Sequence, residues 1–75
     1  MNIKQVVGDN IRFLRQKRNM TLDYLSVRAK MSRTFISDIE RGVKTPSIVS
    51  LEKIAKVLKV TPAQLLIPNF YKEIT

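Results

Sequence analysis

Four side chains with hydrogen-bonding tips, Arg33, Thr34, Ser37 and Asp38, stand at spacings of one, three and four in the chain. On a helix such positions share a side. Their chemistry suits the edges of base pairs. Arg33 can donate two hydrogen bonds to guanine O6 and N7, and Thr34 can offer its hydroxyl to a base and its methyl to a thymine. Ser37 and Asp38 lie one turn further on. The Asp38 carboxylate either accepts from a cytosine amino group or stays solvated or paired with an arginine. For Arg33 the alternative is a phosphate contact without base reading.

Catalysis finds less support. There is no cysteine and no histidine, which excludes disulfides, zinc fingers and the usual catalytic triads. The six carboxylates, Asp9, Asp23, Asp38, Glu40, Glu52 and Glu73, fall in no metal-binding or acid–base spacing. No enzymatic activity, metal or cofactor is expected. Fourteen Lys and Arg against these six give a net charge of +8, and a basic balance of this size is an electrostatic footprint of nucleic-acid binding. Arg41 and Lys44 flank the exit from the segment that carries Arg33, and Arg28 and Lys30 precede it. All four are candidates for phosphate contacts, which position a protein without specifying sequence. Ser32 adds a helix N-terminus, where backbone N–H groups favour an anion. Phe35 either packs partly in the core, the favoured reading, or lies along the DNA backbone.

These residues need two short helices to hold them. Thr21 reads as the N-cap of a helix from Leu22 to Ala29, which places Leu22, Leu25 and Ala29 on one face. After a turn at Lys30-Met31, Ser32 caps a further helix with Phe35, Ile36 and Ile39, which stops at Gly42. Two helices at this separation have the spacing of a helix-turn-helix, in which the second enters the major groove. An earlier helix carries Ile3, Val7, Ile11 and Leu14, with Val6 and Phe13 widening the stripe, and runs to about Lys17; Gly8 weakens it slightly. Thr45-Pro46 and Thr61-Pro62 each read as N-cap followed by proline at the first helical position. The first opens a helix whose core face is Ile48, Leu51, Ile54, Ala55 and Leu58. The second opens a short helix from Pro62 to about Leu66, ended by Pro68. Lys53, Lys56 and Lys59 form a solvated face. The tail, Asn69 to Thr75, holds Phe70, Tyr71 and Ile74. A strand pattern competes only there.

The expectation is an all-α, five-helix domain over residues 1–75, with its core in 6–66 and a tail at 67–75. No apolar run approaches the roughly 18 residues that suggest a membrane span. The N-terminus MNIKQVVGDN lacks the apolar stretch of a signal peptide. A cytoplasmic protein is expected.

The ordered set Ile11-Arg12-x-Leu14-Arg15, Met20-Thr21, Leu25, Ile36-Ser37-x-Ile39-Glu40-Arg41-Gly42, Pro46-Ser47, Leu51-x-x-Ile54-Ala55 and Leu58 resembles the helix-turn-helix family of lambdoid phage repressors and xenobiotic-response-element regulators. The resemblance covers about residues 8 to 66. Within that family, Arg33-Thr34-Phe35-Ile36-Ser37-x-Ile39-Glu40-Arg41 looks most like restriction–modification controller proteins, with Phe35 where tyrosine is usual. The resemblance implies a sequence-specific transcriptional regulator that binds a palindromic operator, and a partly buried salt bridge between Arg15 and Glu40. Three positions depart from the family pattern. Leu22 replaces a phosphate-contacting glutamine, Ser26 replaces a small alanine, and Lys30 replaces the turn glycine. Lys30 at φ > 0 would carry a strain of about 1 kcal/mol or somewhat more.

A single module of this type has a contact area of about 600–1,000 Å², so a homodimer on two half-sites is expected. Leu65, Leu66, Ile67, Phe70 and Tyr71 are the candidate interface; the alternative is that they close the core over the first helix. Double-stranded DNA and a second copy are the expected partners, with RNA polymerase a further one if the protein activates. A small-molecule ligand is not expected. The competing readings are a small phage or mobile-element repressor and an antitoxin-like domain that chiefly binds a protein.

Overall fold

The helices begin where a side-chain oxygen can take up a free N–H. The computed structural model describes residues 2–72, without the side chain of Tyr71; Ile74 of the tail lies outside the described residues. Helix α1 is Ile3–Lys17, α2 Leu22–Ala29, α3 Arg33–Glu40 and α4 Ile48–Leu58, followed by 3-10 turns at Ala63–Leu66 and Phe70–Lys72. Asn2 Oδ1 accepts from Lys4 N–H at 3.0 Å. Thr21 Oγ1 accepts from Tyr24 N–H at 3.0 Å, and Ser32 Oγ from Phe35 N–H at 3.0 Å. The architecture is all-α among the described residues, with four α-helices where five were expected.

The fifth element is a 3-10 turn for a local reason. Leu65 N–H donates to Pro62 O at 3.1 Å and Ile67 N–H to Gln64 O at 3.2 Å, both i→i+3 bonds. Pro68 follows without an N–H, so the five residues between Pro62 and Pro68 have no length in which to settle into α geometry. Thr61 does cap it. Its Oγ1 accepts from Gln64 N–H at 3.2 Å while Gln64 Oε1 accepts from Thr61 N–H at 2.9 Å, a reciprocal capping box.

Helix α4 also starts later than Thr45-Pro46 implied. Ser47 is its N-cap, accepting from Ser50 N–H at 3.1 Å. Ile48 therefore occupies the first turn and is 86% exposed, which removes it from the core face; the buried stripe begins at Leu51. Ile3, in the first turn of α1, is likewise exposed, and the buried stripe begins at Val7. A first turn overhangs the body that the rest of its helix packs against.

One apolar cluster joins the elements: Ile11 and Leu14 of α1, Leu25 of α2, Ile36 and Ile39 of α3, Ile54 and Leu58 of α4, and Leu65. Leu65 is 0% and Phe70 7% exposed within the chain. Both belong to the core rather than to the expected interface, because the chain turns back after α4 and packs both 3-10 turns on α1. Asn10 fastens that return. Its Nδ2 donates to Leu65 O at 2.9 Å and Ile67 O at 3.0 Å from a fully buried position. No helix among the described residues is long and apolar enough to cross a membrane.

Candidate nucleic-acid interface

Ser32 sets the start of α3, so Arg33 and Thr34 occupy its exposed first turn. Ser37, one turn later, is half-buried. The Arg33 side chain is 63% exposed, and its Nε lies 3.4 Å from Asp23 Oδ1 in the first turn of α2. Asp38 is placed differently. It is buried, and its carboxylate is paired with Arg41 and, at 3.5 Å, with Lys44 Nζ. Its carbonyl accepts from Val43 N–H at 2.9 Å and Lys44 N–H at 3.3 Å. Asp38 thus organises the loop that leaves α3, with Gly42 in the left-handed region at φ 75. Arg41 and Lys44 keep exposed side chains around it.

The back of α3 is pinned. Arg15 Nε and Nη2 donate to the two Glu40 oxygens at 2.7 and 3.1 Å, and Arg15 Nη1 donates to Met20 O at 2.8 Å. Arg12 Nε stands 3.7 Å from Glu40 Oε1. Glycine at position 8 makes this approach possible, since a Cβ there would lie 2.4 Å from Ile39 O and 2.7 Å from Glu40 O. A residue that reads as a weakness in a helix is thus the point where α1 meets the end of α3.

The α2–α3 turn follows the same logic. Lys30 adopts φ 58, ψ 47, and Met31 N–H donates to Ser26 O at 2.9 Å, which closes α2 with its left-handed residue. Ser26 is buried, and its hydroxyl donates to Asp23 O at 2.8 Å, so its polar tip is satisfied at the helix contact. Leu22 and Phe35 pack against the core. For Leu22 this matches the lack of a polar group, and for Phe35 it is the favoured of the two sequence readings.

Arg28 and Lys30 fall elsewhere. Together with Lys53 and Lys56 of α4 they line a shallow depression between α2 and α4, and Arg28 also sits over the Tyr24 ring, 5.7 Å from its centre. The structure therefore sorts the candidates into three groups. Arg33, Thr34 and Ser37 lie along α3, Arg41 and Lys44 surround Asp38, and Arg28 and Lys30 join the α4 lysines. Asp23, Gly8, Asn10 and Arg12 were not singled out as partners by sequence reasoning. Only an acidic residue in the first turn of a helix marked Asp23, and nothing in its spacing tied it to Arg33. Among the described residues no group of three carboxylates, histidines or cysteines could hold a metal.

A helix-turn-helix family profile matches residues 11–65, which takes in α2, α3 and α4. The chain belongs to the helix-turn-helix family. The control protein C.BamHI of Bacillus amyloliquefaciens is 42% identical over 66 residues, covering 87% of this chain and 82% of the relative. Among solved structures, a tyrosine-to-phenylalanine variant of the restriction–modification controller protein C.Esp1396I superposes with a TM-score of 0.81 at 34% identity, covering 99% of this chain and 92% of that one. The biofilm regulator SinR, solved in complex with DNA, gives 0.78 at 34% identity over 81% of this chain and 98% of the other. These relatives are transcriptional regulators and controllers, not enzymes. The helix-turn-helix described above is that of a DNA-binding regulator.

Proposed function

We propose that the protein binds a short palindromic operator as a homodimer, with α3 in the major groove, and controls a restriction–modification operon. The exposed first turn of α3 carries this reading. It offers Arg33 and Thr34 on a helix held from behind by Arg15, Glu40 and the glycine contact. Arg33 donates to a guanine, Thr34 meets the neighbouring base, and Ser37 contributes from the next turn. Asp38 acts through Arg41 and Lys44, which with Ser32 take the phosphates. Arg28 and Lys30 add to the attractive field from the α2–α4 side. The restriction–modification role rests on the likeness to C.BamHI and C.Esp1396I over most of both chains. Leu66 and Ile67 remain exposed beside the buried Leu65 and form the dimer contact with the tail. RNA polymerase is the further partner that activation would require.

Selection of bound sequences from random duplex DNA tests this reading, with wild type and Arg33→Ala compared at physiological salt. The expected result is a palindrome with half-sites about 34–36 Å apart and a guanine preference that disappears in the variant. Uniform, salt-sensitive binding without a motif would overturn it and favour the protein-binding alternative.

A further inference from the structure

Asp23 has no place in the binding scheme above, yet it is paired with the principal base reader. It stands in the first turn of α2 with its side chain 72% exposed, and its Oδ1 is 3.4 Å from Arg33 Nε. A carboxylate beside an arginine that meets DNA works against general DNA affinity, so its position calls for a compensating role. We infer that Asp23 is a specificity-determining residue that positions Arg33 for guanine and disfavours its use as a phosphate contact. The inference rests on Arg33 being the guanine reader.

A guanidinium has five N–H donors, of which Nε supplies one. With Nε at the ion-pair contact with Asp23, the two terminal nitrogens are the donors that suit guanine O6 and N7. The ion pair spans two elements, so it limits the swing of a long side chain that starts at the N-terminus of α3. Its base on α2 is itself fixed. Thr21 caps that helix, the Ser26 hydroxyl is bonded to Asp23 O at 2.8 Å, and a negative charge is favoured in the first turn by the helix dipole. The guanine edge presents neutral acceptors, whereas a phosphate carries a full negative charge. A carboxylate beside Arg33 therefore repels the phosphate more than the base, and the ratio of the two affinities rises.

The test uses the full chain and the duplex recovered by selection. Affinities are measured by fluorescence anisotropy for that duplex, for the same duplex with the most strongly selected guanine of each half-site replaced by adenine, and for a random duplex. Wild type, Asp23→Asn, Arg33→Ala and the double variant are compared, with thermal melts to confirm folding. Asp23→Asn should lower the guanine-to-adenine preference about two- to fivefold, the range of an exposed ion pair, and should tighten binding to the random duplex. In the Arg33→Ala background the same substitution should leave the guanine preference unchanged. If Arg33→Ala abolishes the preference and Asp23→Asn leaves it intact, Asp23 is only a helix-end charge and the inference fails. If Arg33→Ala keeps the preference, Arg33 is not the reader, and both the inference and the reading beneath it fall.

Discussion

The Glu40 carboxylate has 4% of its side chain exposed and accepts two hydrogen bonds from Arg15, itself 12% exposed. A charge this deep is tolerated only because its partner and geometry are good. Arg15→Ala should therefore destabilise the fold by about 3–5 kcal/mol, much of it the penalty of leaving Glu40 unpaired. Replacing both residues, as Arg15→Met with Glu40→Leu, should recover most of that loss in urea denaturation. A double variant as unstable as the single one would show that Arg15 acts through its bond to Met20 O or through packing instead. The family resemblance implied this pair from sequence. Asp38 illustrates the reverse case, because its neighbours along the chain allowed either a base contact or an arginine partner, and the loop after α3 brings Arg41 and Lys44 onto it.

Three of the helices end in the same way without glycine. Asn19 after α1, Lys30 after α2 and Lys59 after α4 have φ of 57, 58 and 61. Each turn is closed by a backbone bond reaching back five residues: Met20 N–H to Arg15 O at 2.9 Å, Met31 N–H to Ser26 O at 2.9 Å and Val60 N–H to Ala55 O at 3.0 Å. Asparagine tolerates this region better than lysine does. Lys30→Gly and Lys59→Gly should each relieve left-handed strain, partly offset by the greater freedom of glycine in the unfolded chain. A net gain of about 0.5–1 kcal/mol is expected, read as a rise in melting temperature of several degrees, about 4–8 °C per kcal/mol in a domain of this size. A fall in melting temperature would mean that the lysine stems contribute packing that exceeds the strain. The Lys30 strain was implied by the family resemblance, which puts this lysine where the turn glycine stands, and the structure gives it φ 58.

At the level of the assembled molecule, a net charge of +8 is divided among distinct surfaces, and the apolar remainder is uneven. Leu66 and Ile67 are exposed next to a fully buried Leu65. If these two side chains meet a second copy, Leu66→Lys with Ile67→Lys should shift the protein to monomer in sedimentation equilibrium. Operator binding should weaken in step, while the melt of the monomer stays close to wild type. An unchanged dimer would move the interface to the exposed Ile48 and Val49 at the start of α4. Binding should also fall steeply with salt, with a log–log slope of about −0.9 per phosphate neutralised.

The local features were readable in advance because they rest on short-range physics. Hydroxyl caps at Thr21 and Ser32, a three-and-four apolar period, and a short turn at Lys30-Met31 each involve residues within one or two turns, while the left-handed conformation of Lys30 was implied by the family resemblance. Together they defined α2, the turn and α3, and hence which side chains α3 could offer to DNA. The start of α4 rests on the same physics, with two hydroxyls, Thr45 and Ser47, in competition and Ser47 as the cap. Other features depend on what lies opposite, which no periodicity encodes. Gly8 is required because α3 ends against it, Asn10 because the chain returns across α1, and Asp23 matters because α2 and α3 cross where Arg33 can reach it. The division of Leu65 and Phe70 from Leu66 and Ile67 has the same origin. An apolar run announces that a surface will be covered, and only the path of the folded chain determines which part is covered by the molecule's own core.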